Sequence, residues 1–157
     1  MDGYRLRHTI GMYFCTTAIK RAAYLKKHDI FYHIGDNCMT MFRKIPLYPK
    51  LISFGDNVWI AAGVSFSTQD VIYRMLNYRE KSDNFQEFIG CIDIRDNVFI
   101  GTNSTILANV TIGPDTIIAA GSLVNHSIPG NGVYGGCPQN IYAHWMTSWR
   151  KEKASPK

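Results

Sequence analysis

Proton transfer near neutral pH calls for an imidazole or a tuned carboxylate, and this 157-residue chain offers few of either in suggestive company. Its histidines are His8, His28, His33, His126 and His144. Positions 33, 126 and 144 do not put three imidazoles on adjacent turns of a repeat, so no metal is expected. His33 could face a cleft, although a packing or surface role is the commoner fate of an unpaired histidine. The four cysteines, Cys15, Cys38, Cys91 and Cys137, are scattered without a CxxC pair, which fits buried free thiols in a reducing cytoplasm. One segment joins polar groups to an abrupt change of pattern: Phe66-Ser67-Thr68-Gln69-Asp70. Gln69 can orient a hydroxyl by hydrogen bonding but cannot remove its proton. Asp70 is the carboxylate beside it, and it could equally bond its own turn.

What positions these groups is a repeat. Residues 94–129 divide into the hexads IRDNVF, IGTNST, ILANVT, IGPDTI, IAAGSL and VNHSIP. Each opens on an aliphatic residue: Ile94, Ile100, Ile106, Ile112, Ile118 and Val124. Each fifth position is small or β-branched, and Asn97, Asn103, Asn109, Asp115 and Gly121 hold the fourth. Those fourth residues tolerate the left-handed backbone of a sharp corner. The columns predict short strands joined by tight corners, three sides to an eighteen-residue triangular coil, with the opening residues stacked in its core. A period of six fits a helix poorly, and Pro114 and Gly121 lie inside it. Stacking of neighbouring coils is then what buries the core.

The register returns upstream in FGDNVW, IAAGVS and FSTQDV over residues 54–71, and once more at residues 34–39. Pro46 and Pro49 blur it between, so an irregular first coil is expected. From Asp70 the period vanishes until Ile94, which makes residues 70–92 an inserted loop, and long loops within a domain are commonly functional. Thr17 can cap a helix over AIKRAAYLKKH with Ile19, Ala22, Ala23 and Leu25 on its apolar face. Ile141, Trp145 and Trp149 could pack a short C-terminal helix, followed by a disordered KEKASPK tail. The chain is expected to be one domain: an N-terminal arm and helix over 1–32, the coil over 33–140, and the helix and tail over 141–157.

The net charge of +5 is uneven: residues 1–50 hold nine Lys/Arg against three acids, while the middle of the chain is acidic. No basic stripe interleaved with aromatics runs through the middle, so nucleic acid is not an expected partner. No segment approaches the roughly 18 apolar residues of a membrane span, and a secretory leader is not expected, leaving a cytoplasmic protein.

The hexads, the inserted loop and the closing run GSLVNHSIPGNGVYGGCPQNI together resemble the hexapeptide-repeat acyltransferases, closest to the maltose and galactoside O-acetyltransferases. The resemblance covers about residues 33–143. It implies an all-β solenoid: a left-handed parallel β-helix with short N- and C-terminal helices and one long inserted loop. It implies a homotrimer in which acetyl-CoA lies along the coils and a small acceptor, a sugar or nucleotide-sugar, sits beneath the loop. The family's general base is a histidine in Thr-His-Asp or Thr-His-Pro, and Gln69 of Ser67-Thr68-Gln69-Asp70 stands in its place here. The donor site falls on Gly101, Thr102, Ala119, Ala120, Gly121, Ser122, Asn125, His126, Pro138 and Asn140, where relatives often carry Thr-Lys at 125–126 and a basic residue after Gly-x-Pro. Tyr73 and Tyr78, with Phe85 and Phe88, could stack on a sugar-like acceptor or pin the loop to a neighbouring subunit. The implied activity is acetyl transfer to a hydroxyl or amino group. The alternative is a catalytically silent member that serves as a trimeric binding or scaffolding subunit.

Overall fold

A computed structural model of the chain describes residues 3–144. In chain order the elements are α1 (Gly3–Tyr13), α2 (Ala18–Lys27), β1 (His33–Ile34), β2 (Met39–Thr40), β3 (Ile52–Phe54), β4 (Trp59–Ile60) and β5 (Ser65–Ser67). After them come α3 (Ile72–Glu80), β6 (Ile92–Ile94), β7 (Val98–Ile100), β8 (Thr105–Leu107), β9 (Val110–Ile112), β10 (Thr116–Ile118), β11 (Leu123–Val124), β12 (Gly132–Gly135) and β13 (Asn140–His144).

The hexad columns translate directly into this geometry. Ile94, Ile100, Ile106, Ile112, Ile118 and Val124 are all fully buried, and the fifth-position side chains Val98, Ser104, Val110, Thr116, Ser122 and Ile128 turn inward with them. The corner residues Asn37, Asn57, Asn97, Asn103, Asn109 and Asp115 have φ between 52° and 61°, and Gly63 and Gly121 lie near +70°. Asparagine and glycine bear that conformation at least cost, which is why they hold the fourth column.

The strands fall into three sheets that the chain visits in rotation. One sheet runs β1-β3-β6-β9, the second β2-β4-β7-β10-β12-β13 and the third β5-β8-β11, with every pair parallel except β12 with β13. Ile94 pairs with Ile112, eighteen residues on, and Ile106 with Val124 at the same separation. Across the insertion Phe54 pairs with Ile94 and Phe66 with Ile106, each forty residues apart. The insertion therefore adds twenty-two residues without shifting the register. In the first coil the third side has no strand, as Pro46 and Pro49 foretold. There Phe31, Phe42, Phe54 and Phe66 fill the core edge-to-face, with ring centroids 5.0–6.0 Å apart.

Several expectations change. Asn97, Asn103 and Asn109 occupy three successive corners of one turn rather than one stack. The stack that forms is Asn57–Asn97–Asp115, with Asn57 Nδ2 donating to Asn97 Oδ1 and Asn97 Nδ2 to Asp115 Oδ1, both at 3.0 Å. Residues 70–92 are not all loop, for they hold α3. The C-terminal helix does not begin at Ile141: Asn140–His144 is β13, pairing antiparallel with β12 and covering what would otherwise be an open sheet edge. Trp145, Trp149 and the tail lie outside the described residues. Cys38 is buried, which pushes its thiol pKa up, but Cys91 and Cys137 are exposed because both fall on connections outside the inward columns.

The N-terminal helices close the other end of the coil. Thr17 caps α2, its Oγ1 accepting from the Lys20 amide at 3.2 Å. The buried face is Arg21, Ala22 and Leu25, while Ile19 and Ala23 point outward. Arg21 is buried because its guanidinium reaches carbonyls on two sides, Thr40 O at 3.0 Å and Cys15 O at 3.2 Å. The helix α1 was not foreseen, although buried His8 and Met12 stand one turn apart and mark its inner face. His8 Nδ1 lies 3.0 Å from Tyr24 Oη, and its ring sits 5.2 Å from that of His28. Burial, then the neighbouring His28 and Arg7, lowers the His8 pKa from its ordinary 6.5. The unfolded chain accordingly binds more protons as pH falls through 6.5, so the stability held above that value is lost below it. We expect the melting temperature to drop between about pH 7.5 and 5.5, and His8→Gln to flatten that drop. An equal drop in the variant would remove His8 from the account.

Candidate active site

The insertion leaves and rejoins the coil at one narrow neck. Gln69 and Ile89 form an antiparallel bridge, the Gly90 amide donates to Thr68 O at 2.9 Å, and the Asp70 amide to Phe88 O at 3.3 Å. Thr68 is buried and donates through Oγ1 to Leu47 O at 2.7 Å, which ties the neck to the irregular side of the first coil. Gln69 is half-buried, and its amide oxygen is closed to solvent without a hydrogen-bond partner. Asp70 Oδ1 accepts from the Ile72 amide at 3.0 Å, so it bonds its own turn at the start of α3. The pair Gln69 and Asp70 thus brings one waiting acceptor and one engaged carboxylate to the corner after β5.

Beyond the neck, α3 buries none of its residues. Asn77 grips Phe85 through both amide atoms, each bond 2.9 Å, and folds the segment after α3 back along it. Tyr73 and Tyr78 line a surface concavity of about 480 Å³ together with Arg74, Asn77 and Lys81. Gln69 and Asp70 are not among the residues lining it, so the two tyrosines meet each other but not the neck residues in that hollow. Tyr78 is 85% exposed, and Val71, Ile72, Met75, Phe85 and Phe88 are exposed around it.

The expected donor residues divide by what their smallness serves. Gly101 is buried, and a Cβ there would lie 2.5 Å from the Ala120 nitrogen and 2.8 Å from Ile118 O. Close stacking of coils requires that glycine. Ser122 is likewise buried, its Oγ donating to Ala119 O at 2.6 Å. Thr102, Ala120 and Gly121 are exposed along one edge, with open space beside Gly121. Asn125 and His126 are exposed after β11, with His126 Nδ1 2.8 Å from Asn125 Oδ1. Pro138 and Asn140 are exposed beside them on a segment whose Gln139 amide donates to Leu123 O.

Gln139 was missed as a participant. It is buried, its Oε1 accepting from the Asn125 amide at 3.1 Å and its Nε2 donating to His126 O at 3.0 Å. Its side chain fixes the 125–126 backbone, a long-range pairing that no local pattern announces. Gln69 follows β5 and Asn125-His126 follow β11 on the same end of the third sheet, two strand spacings or about 10 Å apart. That end of the third sheet thus brings Asn125, His126 and the Gln69 amide together, whereas Thr102, Ala120 and Gly121 lie on the corners before β8 and β11, at its opposite end. Among the described residues, no three His, Cys, Asp or Glu gather in a way that could hold a metal ion, and no helix is long and apolar enough to cross a membrane.

Residues 92–126 match the family model described as bacterial transferase hexapeptide (six repeats). The chain is 36% identical over 110 residues to the galactoside O-acetyltransferase of Escherichia coli (strain K12), covering 69% of itself and 52% of that relative. It thus spans about half the length of that curated relative. Among solved structures it is similar to a maltose O-acetyltransferase from Clostridium difficile 630, at 25% identity and TM-score 0.67, covering 90% of this chain and 84% of that one. It also shares its fold with a hexapeptide-repeat acetyltransferase of Vibrio cholerae O1 biovar eltor complexed with acetyl coenzyme A, at 23% identity and TM-score 0.56, covering 90% and 85%.

Proposed function

We propose that the protein, whose residues 92–126 match the bacterial transferase hexapeptide model, transfers acetyl from acetyl-CoA to a hydroxyl of a sugar-like acceptor. One observation supports the proposal: Asn125 and His126, from the expected donor run, follow β11 at the same end of the third sheet as Gln69 follows β5, about 10 Å away across two strands. A slender pantetheine arm fits beside residues without bulk, and His126 is placed to meet a donor phosphate. The coil winds left-handed and three chains assemble around it, with α3 reaching toward a neighbour; its wholly unburied surface supports that role.

In the transfer the acceptor hydroxyl attacks the thioester carbonyl, the C–S bond breaks, and the CoA thiolate leaves and takes up the proton. The Gln69 side chain, turned out from the enclosed position its Oε1 takes in the free chain, hydrogen-bonds the attacking hydroxyl and holds it in line without accepting its proton. Proximity then does most of the work, so turnover is slow. A second reading, a silent trimeric scaffold, is favoured by the same residues: Gln69 is no base, and Gln139 is spent on the backbone rather than offered to phosphate.

Titration with acetyl-CoA, followed by sedimentation and an acceptor screen for thiol release, separates the two. The transferase reading expects saturable donor binding, a trimer and slow release. Donor binding undetectable at millimolar acetyl-CoA would leave the scaffold.

A further inference from the structure

The irregular side of the first coil leaves a cavity of about 600 Å³ between residues 41–47, the outer face of β5 and the start of α1. Three cations line it, Arg5, Arg43 and Lys44, and no carboxylate does. We propose that the acceptor carries an oxyanion, a phosphate or a carboxylate, and that Arg5, Arg43 and Lys44 hold that group here while its hydroxyl lies at Gln69. The inference rests on the transferase reading and adds the substrate class to it.

The described ion pairs, Lys26–Asp36, Lys50–Asp29, Arg79–Glu80 and Arg95–Asp93, use none of these cations. Arg5 spends Nη2 on Ile45 O at 2.7 Å, while its Nε is buried without a partner. A buried guanidinium nitrogen left without a partner is uncommon, and an oxyanion held against this wall would supply one. Arg43 spends Nη1 on Met12 O at 3.2 Å, and its guanidinium stands over the Tyr13 ring at 5.2 Å. Both arginines are thus oriented by fixed groups while part of each fork stays unengaged, which suits paired bonds to an oxyanion. Arg21 stands near as a further cation, its pKa lowered first by burial and then by Arg43.

The cavity lies beside the candidate site. Leu47 lines it, and the Leu47 carbonyl is the acceptor for Thr68 Oγ1, one residue before Gln69. Along β5 the lining ends at Phe66, three residues or about 10 Å from Gln69. A sugar ring with one charged substituent bridges that distance. Neutral sugars would leave three cations facing water and gain nothing from them.

Equilibrium calorimetry on the full chain at low salt tests this with D-glucose 6-phosphate, D-glucuronate and D-glucose as probes. Expected is at least about tenfold tighter binding of one charged probe than of glucose, weakened by salt, with the tighter of the two naming the oxyanion. The double variant R43Q/K44Q should lose that advantage, and Lys44→Arg should keep most of it, which separates charge from folding. Acetyl-CoA binding should stay unchanged in R43Q/K44Q, and this donor titration tests the transferase reading independently. Equal binding of glucose, no binding of any probe at millimolar concentration, an unaffected double variant, or weakened acetyl-CoA binding would each overturn the proposal.

Discussion

Gln69→His is expected to raise acetyl transfer by at least about tenfold, a conservative part of the 10²–10⁴ that a general base contributes. The amide oxygen of Gln69 already sits closed to solvent and without a partner at the neck of the insertion. An imidazole put there gains what the amide lacks, a nitrogen that takes the hydroxyl proton near neutral pH. The gain should grow as pH rises through about 6.5, because only the neutral ring is a base. Thiol release from acetyl-CoA across pH 6–9, with the best acceptor found, compares the two proteins. If donor binding is intact and the rates coincide at every pH, the corner after β5 is not where the base belongs and the scaffold reading gains.

Gly101→Ala should be strongly destabilising. Its Cβ would meet Ala120 N, Ala120 Cα and Ile118 O, all backbone atoms of the next turn that cannot rotate away. The same glycine donates its amide to Ile118 O at 2.8 Å, so relief of the clash also lengthens a hydrogen bond between coils. Overpacking and a weakened bond together cost about 2–4 kcal/mol. In a chain of this size that lowers the melting temperature by roughly 5–15 °C. Gly121→Ala is the control: nothing lies within 4 Å of its Cβ, and only the +70° φ is penalised. Its cost should be about 1 kcal/mol. Equal losses in urea titrations of the two variants would show that coil stacking does not set the size of residue 101.

Most of the coil was legible because each hexad position has one physical task. Ile100 must be apolar, Asn103 must accept a positive φ, and the repetition of those demands every six residues makes them visible. The candidate site was legible only where it interrupts the repeat. Gln69 and Asp70 could be singled out because the resemblance implies a catalytic histidine at 69, where the period stops. Asp70 takes the local alternative open to it and bonds the Ile72 amide, whereas the enclosure of the Gln69 oxygen goes with the segment that returns to bridge it at Ile89. Gly101 and Gly121 look alike in sequence, and only the neighbouring turn decides which is packed against backbone and which faces space. Gln139 and β13 owe their roles to partners on other turns, and Ile141 at helical spacing from two tryptophans fits a strand as well when β12 needs covering. The cationic cavity escaped notice because Arg5 and Lys44 are thirty-nine residues apart and meet only when α1 folds back over the first coil.

The forty-residue separation between strands on either side of the insertion bears on the order in which the chain assembles. Turns within 92–126 close loops of eighteen residues, whereas joining Phe54 to Ile94 closes one of forty. The extra loop entropy is only about 0.7 kcal/mol, so the insertion can change in length at small thermodynamic cost. Its kinetic effect runs in one direction: the uninterrupted C-terminal turns have the shortest contacts and nucleate first. The N-terminal turns then zip onto the exposed edge they leave, and the neck at Gln69 becomes the seam at which the two runs are joined.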